Sequence, residues 1–142
     1  MNAFMGSGFG RVVTINLKRG EKLLESIRDQ LKKEGIRSGI VLCAIGSLEK
    51  AVIHRVMDNG VTPKDEYVTI EQPMELASLQ GIIADGEPHF HVVISDLKKT
   101  YTGHLEPETT VLYLAEIAIA EINDLEIRRI KDDNNIAVFA AK

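Results

Sequence analysis

The sequence predicts an α+β fold, in which a largely antiparallel sheet packs against one main helix. Apolar residues recur at helical spacing in only one segment, about residues 21–34. Most of the remaining chain consists of apolar or alternating runs, typical of strands, that are separated by turn-forming residues. With 142 residues, the chain is long enough for one domain with its own core. We therefore expect a single domain over residues 1–142, of which residues 1–10 form a flexible N-terminus.

The first two elements are a strand and the helix. Val12–Leu17 alternates β-branched and polar residues, which predicts a strand that ends before Gly20. Glu21 at the start of the helix and Lys32-Lys33 at its end suit the helix dipole, and Gly35 is a natural stop. The apolar stripe of this helix consists of Leu23, Leu24, Ile27 and Leu31.

The rest of the chain is predicted to be strands. The apolar run Gly39–Ile45 should be central and buried, and Gly46-Ser47 should form a turn. Segment 111–122 contains helix formers, but the alternation around Glu116 and Glu121 favours a strand. The other predicted strands are 51–57, 67–70, 74–84 after an interruption near Pro73, 89–95, 101–105, and a closing hairpin of 127–130 with 136–140.

Composition and charge narrow the function classes. The hydrophobic fraction of 44% and the charged fraction of 27% are typical of soluble globular proteins. The net charge is −4, and the lysines and arginines are scattered rather than gathered into a basic face. Tight binding to duplex DNA normally needs such a face, and no Arg-Gly-Arg-Pro hook occurs. DNA binding by this chain is therefore doubtful.

Several features indicate a cytoplasmic protein that does not enter a membrane. No apolar run is long enough to span a bilayer, and Met1–Arg11 lacks the apolar region of a signal peptide. The single cysteine, Cys43, cannot form an internal disulfide, and we expect it to be buried as a small apolar residue. The glycine-rich segment 6–10 is not a phosphate loop, because a strand rather than a helix follows it.

Three of the four histidines lie within sixteen residues and predict a metal site. His89 and His91, two residues apart on a strand, point to the same face, roughly 6.6 Å apart along the chain. The polar turn at 96–99 would return the chain so that His104 arrives on the neighbouring strand. Imidazole is a common metal ligand, so His89, His91 and His104 form a candidate three-histidine site. His54 is distant in sequence, and we expect it to be exposed or at an interface, outside the site.

The order of short motifs resembles that of the plant and prokaryote conserved (PPC) domain, which in land plants accompanies AT-hook DNA-binding motifs. The resemblance covers about Val12 to Ile122. The motifs are Leu17-x-x-Gly20-Glu21, Ile45-Gly46-Ser47-Leu48, Glu75-Leu-Ala-Ser78-Leu79-Gln80-Gly81, Pro88-His89-Phe-His91, Gly103-His104-Leu105 and Ala115-Glu116. Thr102 stands where the family usually has a first glycine before the His-Leu pair, and the AT-hook is absent.

This resemblance implies a twisted antiparallel protomer that assembles as a homotrimer. In the stand-alone prokaryotic members it also implies a metal, either zinc or another divalent transition metal, on the residues that are His89, His91 and His104 here. The DNA-binding role of the plant members does not transfer without the AT-hook. A DNA-associated regulatory role rests only on the labels of prokaryotic relatives, which derive from the fold rather than from a site.

Three histidine ligands leave a coordination position open, as in catalytic zinc sites. The leading hypothesis is a homotrimeric metal-binding domain that recognises a small ligand or a protein partner at the metal. The alternative is a metal-dependent hydrolase or lyase acting on a small polar substrate. Glu75, Ser78 and Glu116 are polar residues in apolar strands, for which a structural role is the simpler interpretation, and the sequence identifies no catalytic residue.

Overall fold

The computed structural model describes residues 1–142, and it confirms an α+β fold with one helix. The elements in chain order are β1 Gly8–Lys18, α1 Leu23–Glu34, β2 Gly39–Val56, β3 Asp65–Ala84, β4 Glu87–Ser95, β5 Thr100–Leu105, β6 Thr110–Asn123, β7 Ile127–Lys131 and β8 Ala137–Ala141. Six strands form one antiparallel sheet in the order β1-β6-β2-β3-β4-β5. Strand β5 also pairs with β2, so the four strands β2, β3, β4 and β5 form a closed ring of paired strands. Strands β7 and β8 form a separate hairpin.

Helix α1 covers the core through its predicted apolar stripe. Leu23, Leu24, Ile27 and Leu31 are all buried and belong to one cluster of 25 buried apolar residues. Burying each of these side chains contributes about 1.5–3 kcal/mol. The helix ends at Gly35, as predicted. The left-handed backbone of this glycine (φ 69°) lets its N–H donate to the carbonyl of Lys32.

The predicted turn at Gly46-Ser47 is wrong, because β2 continues through it as one strand of 18 residues. The register against β6 shifts on either side of Leu48, so bulges bend the strand without ending it. A Cβ on Gly46 would lie 2.5 Å from the carbonyl oxygen of Leu114, so this glycine permits close strand contact rather than a reversal. The interruption expected near Pro73 is also a bulge, since β3 runs unbroken from Asp65 to Ala84.

Cys43 is exposed, so the prediction that it is buried is wrong. The register against β6 shifts between Val41 and Cys43, while Val41 and Ala44 occupy the core. Two consecutive residues, Leu42 and Cys43, therefore lie outside the core, and simple alternation along an apolar run could not predict this.

Both ends of the chain add to the structure. Strand β1 begins at Gly8, within the segment 1–10 that was expected to be flexible, and Ser7 N–H already bonds the Asn123 carbonyl. At the other end, the predicted closing hairpin is confirmed. Its turn is held by the Asp132 carboxylate, which accepts hydrogen bonds from the N–H groups of Asn134 and Ile136. The single helix is neither long nor apolar enough to cross a membrane.

Candidate metal centre

Strands β4 and β5 bring the three predicted histidines together. His91 on β4 stands directly opposite His104 on β5, and His89 lies two residues before His91 on β4. The ring centroids are 5.5 Å apart for His89 and His91, 5.5 Å for His91 and His104, and 4.7 Å for His89 and His104. One ring nitrogen from each residue lies within 4.8 Å of the other two. The rings therefore lie within mutual reach, so their nitrogens can converge on one ion.

Two of these imidazoles are held in the form that binds metals. Burial lowers the pKa of His104 to about 4, and the neighbouring histidines contribute to the shift. Burial also lowers the pKa of His89, with a contribution from the positive charge of Arg129. Both rings are consequently neutral near pH 7, and a neutral imidazole has a nitrogen lone pair free for coordination.

Gly103 explains how β5 reaches β2 at this point. A Cβ at Gly103 would lie 2.7 Å from the carbonyl oxygen of His54 and 3.2 Å from the Cβ of Ile53. Without that Cβ, β5 lies against β2, and His104 pairs with His54. The glycine of the Gly-His-Leu motif therefore positions the histidine that follows it.

His54 lies against the cluster, although it was expected to be exposed or at an interface. Its ring stacks on that of His104, with centroids 4.4 Å apart. Its Nδ1 lies 2.5 Å from Oε1 of Glu106, so the pair is hydrogen-bonded. His54, His104 and Glu106 form a second group whose potential ligand atoms lie within 4.8 Å of one another. The β2–β5 pairing creates this contact, and neither spacing nor composition signals it.

The other polar residues noted in the sequence lie elsewhere. Glu75 and Glu116 are exposed strand residues and belong to neither group of convergent side chains. In the β2 register, Glu75 stands opposite Ser47, and Glu116 stands opposite Ile45. Ser78 is half-buried, and its hydroxyl accepts a hydrogen bond from the Gln80 amide. The carboxylate nearest the histidines is instead Glu106, which follows β5.

Two open cavities meet at His89 and His91. The first, of about 650 Å³, contains all four histidines and extends to the tip of the β7–β8 hairpin at Asn135 and Ile136. The second, of about 550 Å³, lies between β3, β4 and the hairpin. Its other lining residues are Gln80, Gly81, Ile82, Arg129, Ala137, Val138 and Phe139. Molecules can therefore approach the histidines from solvent.

The donor set fits a divalent transition metal. Three imidazole nitrogen donors suit zinc, copper, iron or nickel, and they suit magnesium or calcium poorly, since these prefer oxygen. His89, His91 and His104 are the group made of nitrogen donors alone, whereas the second group, His54, His104 and Glu106, includes a carboxylate.

The fold and this cluster define a class: a small α+β domain with a histidine-lined cleft between two strands and a hairpin. The family model of the Plants and Prokaryotes Conserved (PCC) domain matches residues 5–123, so the chain belongs to that family. This confirms the resemblance that the motifs indicate.

Solved structures and curated proteins are similar to this chain. A plant- and prokaryote-conserved protein of Pyrococcus horikoshii is 28% identical and has a TM-score of 0.82, with 100% of this chain and 99% of that chain covered. The metal-containing protein AF0104 of Archaeoglobus fulgidus is 22% identical, with the same TM-score and coverage. The bifunctional protein GlmU of Synechococcus sp. (strain JA-3-3Ab) is 28% identical over 127 residues, 89% of this chain. The match spans only 20% of that relative's length.

Proposed function

We propose that this protein is a homotrimeric metal-binding domain that holds zinc, or another divalent transition metal, on His89, His91 and His104. A small ligand or a protein partner would be recognised at the coordination position that these residues leave open. The observation that carries the proposal is that three ring nitrogens lie within 4.8 Å of one another in the lining of an open cleft.

The chemistry of the site supports this role. Zinc bound by three histidines is typical of catalytic sites, whereas a structural zinc is usually coordinated by four protein ligands. A bound ion would act as a Lewis acid toward an oxygen or nitrogen atom of the ligand. Gly103 and the β4–β5 pairing fix the strands that carry the rings, and burial keeps His104 unprotonated. A protein of the same fold, from A. fulgidus, contains a metal.

The homotrimer is supported by apolar side chains that the single chain leaves in solvent. Leu42, Ile45 and Leu114 lie on the central strands β2 and β6, and each is 44–49% exposed. Central strands of a folded monomer seldom expose so many large apolar side chains. Association of identical chains would cover this face. The DNA-associated role that was considered from family labels stays a prediction.

A second function is favoured by the His54–Glu106 pair. A histidine whose Nδ1 is held by a carboxylate is the usual form of a general base, and this one stacks directly on His104. A metal-dependent hydrolase or lyase acting on a small polar substrate would use such a pair to accept a proton beside the ion. If the protein is such an enzyme, His54→Gln would keep the metal and lose turnover. If it only recognises a ligand, the same variant would keep its ligand affinity.

Native mass spectrometry of the purified protein tests the assembly and the metal together. We expect three chains with one ion per chain, and we expect His89→Ala to form the same trimer with the ion lost. His54→Ala is the matched control, since it removes an imidazole from the cluster but none of the three proposed ligands. A native trimer without metal, or a His89→Ala protein that keeps the full complement, would contradict the proposal.

A further inference from the structure

The β7–β8 hairpin lies beyond residues 5–123, the part of the chain that matches the family model. It nevertheless forms one wall of the 550 Å³ cavity beside His89 and His91. From this wall, Arg129 lines the cavity, and no aspartate or glutamate is among the lining residues. In a chain whose net charge is −4, the one permanently charged side chain in this cavity is therefore positive.

Arg129 differs in its surroundings from five of the six other arginines, and the sixth, Arg128, is exposed. Five arginines are paired with carboxylates: Arg11, Arg19, Arg28, Arg37 and Arg55. Arg129 is half-buried and has no such ion pair, and Glu87, the acid that acts on it electrostatically, is paired with Arg28. A partly buried guanidinium without a carboxylate partner is costly unless something else supplies the counter-charge.

The guanidinium is also held in place and retains free donors. Its two terminal nitrogens each donate to a carbonyl, one to Glu87 and one to Ile82, both at 3.0 Å. Its Cζ lies 4.9 Å from the centroid of the Phe139 ring, which stacks beneath it. Because a guanidinium has five N–H donors, these two bonds leave three that no protein group accepts. A pre-positioned fork of this kind binds a planar carboxylate especially well.

We propose that Arg129 is a specificity-determining residue that selects a small carboxylate ligand with an apolar body. The carboxylate would pair with Arg129, and the apolar part would lie against Ile82, Val138 and Phe139, which line the same cavity. His89 and His91 also line this cavity, so the ligand lies next to the site of the proposed ion. This inference rests on the proposed function for the role of the metal, but the Arg129 contact does not require the ion.

Binding of 4-fluorobenzoate, followed by ¹⁹F NMR, tests the assignment, with 4-fluorobenzamide as the neutral probe of the same shape. The titrations use the zinc-loaded protein and the protein treated with EDTA. We expect Arg129→Gln to weaken benzoate binding about tenfold or more in both forms, because a charge-assisted contact is lost. Arg128→Gln, which removes an exposed arginine from the same strand, should stay within about twofold of the wild-type.

Arg129→Lys separates ligand recognition from anchoring of the hairpin. Lysine keeps the charge but lacks the fork and cannot bridge both carbonyls, so we expect a benzoate affinity between those of the wild-type and of Arg129→Gln. Four results would overturn the inference: no benzoate binding by the wild-type, equal affinity for the amide, no effect of Arg129→Gln, or an Arg129→Lys protein as weak as Arg129→Gln. If the protein binds no zinc but the Arg129 effect persists, only the proposed metal function fails.

Discussion

Replacing His104 with alanine is expected to reduce zinc affinity by more than about 100-fold. Changes to residues that merely support metal ligands usually cost 10–100-fold, and removal of a ligand should cost more. His104 is also the one histidine that belongs to both groups of convergent side chains, so its loss removes a ligand from each group. Competition with a chromophoric chelator at pH 7.5 measures the affinity. Circular dichroism checks that the strands persist.

Glu106→Gln is the matched control for this experiment. Glu106 lies beside the same ring system through His54, but it is not one of the three proposed ligands. The amide keeps the size of the side chain, and we expect zinc affinity to fall by no more than about tenfold. An affinity lost equally in Glu106→Gln and His104→Ala would instead assign the ion to His54, His104 and Glu106.

Replacing Gly81 with alanine should cause a large loss of stability, of about 2–5 kcal/mol. Gly81 stands opposite Phe90 in the β3–β4 pair and has a φ of 152°. A Cβ there would lie 2.0 Å from the His89 carbonyl oxygen and 2.7 Å from Cδ1 of Phe90, which is 1% exposed. The backbone of β4 would have to move at His89, so we expect metal affinity to fall as well. Urea denaturation of the metal-free protein measures the free energy of unfolding.

Gly20→Ala separates the clash at Gly81 from the cost of the backbone conformation. Gly20 also has a positive φ, 83°, but an added Cβ would meet no atom within 4 Å. We expect Gly20→Ala to cost only about 1 kcal/mol. If the two variants were equally stable, close contact between β3 and β4 would not be the reason for a glycine at position 81.

The helix and the β4–β5 hairpin were predictable because residues close together in sequence determine both. The stripe of four apolar residues and the glycine stop identified α1, and the turn residues after Ser95 identified the β4–β5 hairpin. The predicted turn at Gly46 was wrong because glycine serves both turns and close strand contacts. Only the position of β6 beside Gly46 decides between them.

The part of the site that lies on the consecutive strands β4 and β5 was predictable. His89 and His91 share a face by their spacing, and the hairpin adds His104. His54 was missed because the contact depends on β5 closing onto β2, a pairing between residues about fifty positions apart. The same holds for Arg129, since nothing near it in sequence indicates that β7 lies beside β3 and β4.

The central claim is that His89, His91 and His104 hold one ion, and a crystal structure with anomalous diffraction data tests it most directly. Data collected on both sides of the zinc absorption edge should show one peak per chain, about 2.0–2.1 Å from a nitrogen of each of these three rings. A protein crystallised with zinc that shows no peak there, or a peak bound by His54 and Glu106 instead, would contradict the account.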